Sequence, residues 1–193
     1  VKSIIFISVV GANPESRNAY FRSKGVAEEL VLSSGLGARI LRTPILFGPN
    51  AAGSQAIIGM ISSGQAKLLG GGHYQMRPLD IDDLSEALTI LCSASIQDQV
   101  TYELVGPESA PYRDIIEMTA QVMGKTITFG NVPILLAKFG ATITSILKGG
   151  GITPTVIDVI TQDEIVKTNA DSALGITLTP MKQTLEKMTS LGD

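Results

Sequence analysis

Apolar residues fill Ser3 to Val10 (SIIFISVV) almost without interruption, and most of them are β-branched. A short continuous run of this kind predicts a strand buried on both faces in a parallel sheet. It stops at Gly11, and the polar stretch Asn13 to Asn18 predicts a loop. From Ala19 the spacing becomes helical, with Ala19, Ser23, Val26, Ala27 and Leu30 three or four apart and Ser34-Gly35 as the stop. Ala38 to Thr43 predicts a second strand that runs into the turn cluster Phe47-Gly48-Pro49-Asn50. The first 50 residues therefore predict a βαβ unit with a right-handed crossover.

The alternation continues. A short helix is expected over Ser54 to Ser63, a short strand over Lys67 to Leu69 and a flexible turn at Gly70-Gly71-Gly72. Asp80 is placed to cap a helix over Ile81 to Cys92 with Leu84, Ala87, Leu88 and Leu91 on one face. Thr101 to Val105 predicts a strand stopped by Gly106-Pro107, and Pro111 opens a helix that Gly124 closes. A strand over Thr126 to Phe129 follows, then helices over Pro133 to Leu147, Pro154 to Ile165 and Thr179 to Gly192.

Charge and composition narrow the chemistry. The 193 residues are 44% hydrophobic and 17% charged, which excludes a disordered chain. Fifteen Lys and Arg against 18 Asp and Glu give a net charge of −3, with no basic field for a phosphate backbone, so nucleic acid is not an expected partner. One cysteine, Cys92, and one histidine, His73, exclude an intramolecular disulfide and a Cys/His zinc cage, and no metal site is expected. No apolar stretch is long enough to span a bilayer and no signal peptide is recognisable, so a reducing, cytoplasmic location is expected. Val1 opens straight into the first strand, which reads as a chain cut before it rather than naturally started.

Tyr20 and Lys24 are the residues that point to chemistry. An i, i+4 pair lies on one face of a helix, so a phenol and an ammonium can share a pocket. A neighbouring cation would lower the phenol pKa and turn Tyr20 into a general acid/base. The plainer reading is a surface tyrosine beside a solvated lysine.

The chain resembles the extended and atypical short-chain dehydrogenase/reductases, which include sugar-nucleotide epimerases, dehydratases and proteins like the complex I accessory subunit. The matching text is Ile7-Ser8 at a strand end, Tyr20 to Lys24, Ala27-Glu28, Leu41 to Pro44, Phe47-Gly48-Pro49, Arg77 to Asp83, Tyr102-Glu103-Leu104 and Leu174-Gly175-Ile176. It spans nearly the whole chain. The resemblance implies an α/β fold, the C-terminal part of a Rossmann-type doubly wound parallel sheet with a small α/β substrate domain, and NAD or NADP as cofactor. It implies Tyr20 as acid/base, Lys24 on the nicotinamide ribose, Ser8 as the catalytic hydroxyl, and Thr43, Pro44 and Phe47 as a wall near the nicotinamide. Arg77 would face the substrate or form a structural salt bridge, and His73 would line the substrate cleft or lie in a solvated loop.

Two departures matter. Val9 and Val10 follow Ser8 where the family commonly carries further hydroxyl residues, so either Ser8 reaches the substrate or the site is impaired. No glycine-rich turn joins a strand to a helix, so the N-terminal half that would cradle the pyrophosphate is expected to be missing. Asp82 and Asp83 are read as capping groups, the apolar helix from Pro133 as packing within the smaller domain, and Cys92 as an inert core residue.

On this reading, residues 1–50 with 78–106 are the remainder of the NAD(P)-binding domain, and 51–77 with 107–193 a smaller substrate-binding domain. The expected function is NAD(P)-dependent oxidoreduction or epimerase/dehydratase-type chemistry on a small-molecule substrate. The alternative is a non-catalytic NAD(P)-binding subunit with an assembly role. The expected partner is a second copy or the missing N-terminal half.

Overall fold

The computed structural model describes residues 2–93, 99–148 and 153–190; the expectations placed on Val1 and Gly192 lie outside them. The elements in chain order are β1 (Ser3–Val9), α1 (Ala19–Leu32), β2 (Gly37–Thr43), β3 (Leu46–Phe47), α2 (Ala52–Ser62), β4 (Gln65–Leu69), β5 (Gln75–Met76), β6 (Leu79–Asp80) and α3 (Ile81–Ser93). They continue with β7 (Val100–Glu103), β8 (Ala110–Pro111), α4 (Tyr112–Val122), β9 (Thr128–Val132), α5 (Ile134–Lys148), α6 (Pro154–Ile160), α7 (Asp171–Leu174) and α8 (Met181–Thr189). The fold is α/β, as the alternating pattern predicts.

The main sheet has the order β1-β2-β7 and is parallel throughout, with Ser3 opposite Gly37 and Arg39 opposite Val100. β3 pairs with β6 and β4 with β9 in parallel, and β5 pairs with β8 in antiparallel. Two apolar clusters hold these layers. One gathers Phe47, Ile57, Ile61, Ile115, Ile116 and Leu185 under α2, α4 and α8. The other packs Leu41, Leu79, Leu84, Leu91 and Leu104 against Leu174, Ile176 and Leu178.

Several local expectations change in three dimensions. Among the described residues β1 has a strand on one side only, and Ile7 is 43% exposed, so within them this apolar strand is an edge rather than a sealed centre. α1 buries Phe21, Gly25 and Glu28, whereas Val26 and Leu30, on the face its spacing marked as apolar, are exposed. The buried row is set by two contacts. A side chain at Gly25 would meet the backbone of Asn13 and Pro14 at 2.2 to 2.3 Å, so only glycine lets the post-β1 loop lie against the helix. Glu28 receives a two-pronged guanidinium from Arg42 at 2.6 and 2.9 Å, which makes its burial tolerable. Cys92 is exposed, not in the core, because α3 turns Leu84, Ala87 and Leu91 inward and leaves the position after Leu91 outside.

The acidic residues at the start of α3 are structural ties. Asp80 accepts the Asp82 N–H at 2.9 Å and also receives Thr184 and Lys187 from α8, each at 2.8 Å. Asp83 takes the N–H and the hydroxyl of Thr179 at 2.8 and 2.7 Å. Gly70 to Gly72 form a single 3₁₀ turn, each with positive φ, and β5 rather than a helix follows them. Among the described residues, none of the helices is long and apolar enough to cross a membrane, and no His/Cys/Asp/Glu group has the makings of a metal site.

Candidate active site

The ends of β1 and β2, the first turn of α1, and the segment leaving α6 converge on a pocket of about 370 Å³. Val9 and Val10 come from β1 and its exit, Tyr20 and Phe21 from α1, and Thr43, Pro44 and Ile45 from the end of β2. A crevice at the carboxyl ends of parallel strands is where doubly wound sheets place ligands.

Local sequence explains why Tyr20 stands there. The Asn18 side chain caps α1 by accepting the Tyr20 N–H at 2.9 Å, and its amide donates to the Thr155 carbonyl at 3.1 Å. One residue therefore starts α1 and ties it to the first turn of α6. The opposite wall is fixed by Glu164, whose carboxylate accepts the N–H of Ile45 at 3.1 Å and of Arg77 at 2.7 Å. Asp163 accepts the Gln75 N–H at 2.7 Å, and the Glu164 N–H donates to the Gln75 carbonyl at 2.9 Å. These bonds end α6 at Ile160, short of the expected Ile165, and carry residues 161–164 across the pocket.

Of the residues singled out in the sequence, Tyr20, Thr43 and Pro44 line this pocket together. Ser8 is not among the lining residues; it is buried, 1% exposed, and its Oγ has no hydrogen-bond partner among the described residues. The Thr43 hydroxyl donates to the Ser8 carbonyl at 3.4 Å.

Lys24 behaves differently from the expectation. Its Nζ stands 5.5 Å from the centre of the Phe6 ring, a cation–π contact on β1. The Tyr20 phenol is shifted up by burial, not down, because desolvation disfavours the phenolate and no cation offsets it.

Phe47 is fully buried in the apolar cluster with Ile57 and Ile61 and does not face the pocket, because the strand alternation that exposes Leu46 to one core points Phe47 into the other. The Arg77 guanidinium donates to the carbonyls of Gly106 and Pro107 at 3.0 and 3.4 Å, pinning the turn after β7, and is not among the pocket-lining groups. His73 is exposed with its ring against Gly71, also away from the pocket.

The sequence reading missed Met76, Tyr112, Val159, Ile160, Gln162, Asp163 and Glu164, all of which line the pocket. Tyr112 stacks on Tyr74 with ring centres 5.5 Å apart, and burial pushes its phenol up to about 12. The Tyr74 phenol is raised as well, by burial first and by its neighbour Tyr112 second. Tyr112 was signalled only as the residue after the helix-opening Pro111.

No protein-family profile matches the sequence, and no curated protein matches it. Solved structures do match. MoeE5, in complex with UDP-glucose and NAD, superposes with a TM-score of 0.71 at 16% identity over 97% of this chain. A nucleoside-diphosphate-sugar epimerase from Staphylococcus aureus gives 0.72 at 13% identity over 96%, and the Citrobacter sp. triphenylmethane reductase complexed with NADP(H) gives 0.69 at 19% over 96%. This chain spans only 64 to 65% of the length of those proteins. Its fold is thus the Rossmann-type α/β fold that these epimerase- and reductase-type proteins share, matched along nearly the whole of this chain and about 64% of theirs.

Proposed function

We propose that this chain supplies the nicotinamide end and the substrate pocket of an NAD(P)-dependent oxidoreductase or epimerase/dehydratase-type site. The observation that carries the reading is Tyr20 on the wall of an apolar pocket shared with Thr43 and Pro44 at the carboxyl ends of parallel strands. The residues fit a dinucleotide at one end only. Tyr20, Thr43 and Pro44 would border the nicotinamide and its ribose, whereas no strand-to-helix glycine turn for the pyrophosphate exists among the described residues. A further unit must hold that end, on this polypeptide or another, and this chain by itself is expected to bind NAD or NADP weakly.

When bound, the cofactor supplies or accepts a hydride. Tyr20 exchanges a proton with the substrate oxygen, and its raised pKa keeps the phenol protonated near neutral pH, which suits proton donation. Lys24, held over Phe6, contributes positive charge along β1. Residues 51–77 and 107–193 would form the substrate-binding portion, and a cytoplasmic location belongs to the same reading. With the pyrophosphate-holding unit present, Tyr20→Phe is expected to lower turnover about 10²- to 10⁴-fold across a panel of nucleotide-sugar and neutral carbonyl substrates, with cofactor affinity nearly unchanged. Wild-type turnover in that variant would remove Tyr20 from the mechanism.

A second reading, a non-catalytic NAD(P)-binding subunit, is favoured by one observation. Val9 and Val10, not hydroxyl side chains, line the pocket with Tyr20, and Ser8 is buried and not among the lining residues. Cofactor binding without turnover on any member of the panel is the outcome this reading predicts.

A further inference from the structure

The pocket's lining contains two carboxylates, Asp163 and Glu164, and no Lys, Arg or His among the described residues. Both carboxylates are engaged by backbone N–H groups of Gln75, Ile45 and Arg77, so they close the wall and leave negative charge beside the cavity. The cations that neighbour lining residues in sequence are engaged elsewhere: Arg77 donates to the carbonyls of Gly106 and Pro107, Arg42 pairs with Glu28 and Glu103, Arg22 donates to the Ser16 carbonyl, Lys24 lies over Phe6 and Arg113 over Phe129. A diphosphate seated in it would be desolvated against apolar side chains and next to like charge, with no cation among the described lining residues to pair it. The cavity's 370 Å³ also lies at the small end of the range of about 300 to 1,000 Å³ for small-molecule pockets.

We propose that this pocket takes an uncharged, largely apolar small molecule, the size of one or two fused rings and carrying an oxygen acceptor, and that it excludes phosphorylated substrates. The inference rests on the proposed function, in which the nicotinamide borders this pocket at Tyr20, Thr43 and Pro44 and the substrate takes the space beside it. Val9, Val10, Pro44 and Ile160 supply the apolar contact, and the phenols of Tyr20 and Tyr112 are the donors for an acceptor oxygen. A tyrosine phenol is protonated near neutral pH and burial shifts both of these further up, so both are donors there.

Prodan, an uncharged aromatic ketone whose emission shifts to the blue in apolar surroundings, tests this on the chain alone, without cofactor or turnover. The expected result is a saturable blue shift that excess UDP-glucose does not reverse. Ala56→Arg puts a cation at the exposed rim of the pocket and should weaken prodan binding tenfold or more; Ile160→Trp, which fills the cavity from a half-exposed position, should do the same. Leu136→Glu, on the exposed apolar surface of α5, should leave binding unchanged. Displacement by UDP-glucose, absence of a saturable signal, or loss of the signal in Leu136→Glu but not in the two pocket variants would overturn the proposal. Because Tyr20→Phe reads turnover and prodan reads binding, either result can fail while the other stands.

Discussion

Beneath α2, α4 and α8, the side chains of Ile57, Ile61, Ile115 and Leu185 are sealed from solvent, and Phe47 closes the layer from the β3 side. On β1 and α1, residues of the same kinds lie open: Ile7 is 43% exposed, Val26 42% and Leu30 67%. Composition does not distinguish the two regions. In the first, elements from distant parts of the chain meet on every side of the apolar row. In the second, α1 docks through Phe21, Gly25 and Glu28, and nothing within the described residues covers the other row or the free edge of β1. An unpaired strand edge carrying an exposed apolar residue is a pairing surface. The pocket lies between the two regions, walled on one side by α1 and on the other by the segment that Glu164 straps to β2 and β5.

The contrast can be broken most forcefully in the sealed region. Ile115→Ala removes buried methyl groups where no water can enter and is expected to cost about 2 to 5 kcal/mol, seen as a large drop in the denaturant midpoint. A cost under 1 kcal/mol would mean the cluster is as loosely packed as the β1 side.

A smaller effect is expected at the strap. Burial raises the Glu164 pKa, and the N–H groups of Arg77 and Ile45 only partly oppose that. A carboxyl whose folded pKa is raised holds its proton longer in the folded than in the unfolded state. Its burial therefore costs nothing in acid, where both states are protonated. The cost appears as pH rises through the ordinary carboxylate range and is complete above the folded pKa. Glu164→Gln cannot ionise, so its Tm relative to wild type should climb as pH goes from acid to neutral, while Gln Oε1 still accepts one backbone N–H. A Tm difference independent of pH would show that Glu164 is not desolvated by the pocket wall.

The smallest change in stability is expected on the open row. Leu30→Lys should alter folding stability by no more than about 0.5 kcal/mol, because the side chain already faces water. It should also reduce self-association of the chain in sedimentation at high concentration. A loss of several kcal/mol would show that α1 buries Leu30 after all.

Local signals carried most of the elements. The β-branched run gave β1, helical spacing gave α1, Pro111 and Gly124 bracketed α4, and Gly175, at positive φ, ends α7 where Leu174-Gly175-Ile176 was noted. Each of these is decided within one or two turns of chain, by propensity, capping or a left-handed backbone. The sequence also marked Tyr20, Thr43 and Pro44, because a residue at a strand end or in the first turn of the next helix is carried to the carboxyl edge of a parallel sheet by the βαβ connection itself.

What the tertiary structure decided is everything that depends on partners far along the chain. Asp163 and Glu164 look like ordinary polar residues past a helix until their bonds to Gln75, Arg77 and Ile45, 87 to 119 positions away, make them the pocket's wall. Phe47 leaves the expected site for the core, Arg77 turns to a carbonyl pair, Lys24 finds Phe6, and Cys92 faces outward. Periodicity in a sequence ranks positions by how apolar they are, whereas burial, and with it the direction of every pKa shift, depends on which other elements pack against them. Long-range packing selected the row Phe21, Gly25 and Glu28 over the more apolar row beside it on α1, because a close backbone approach and a paired guanidinium were available there and no cover for the other exists among the described residues.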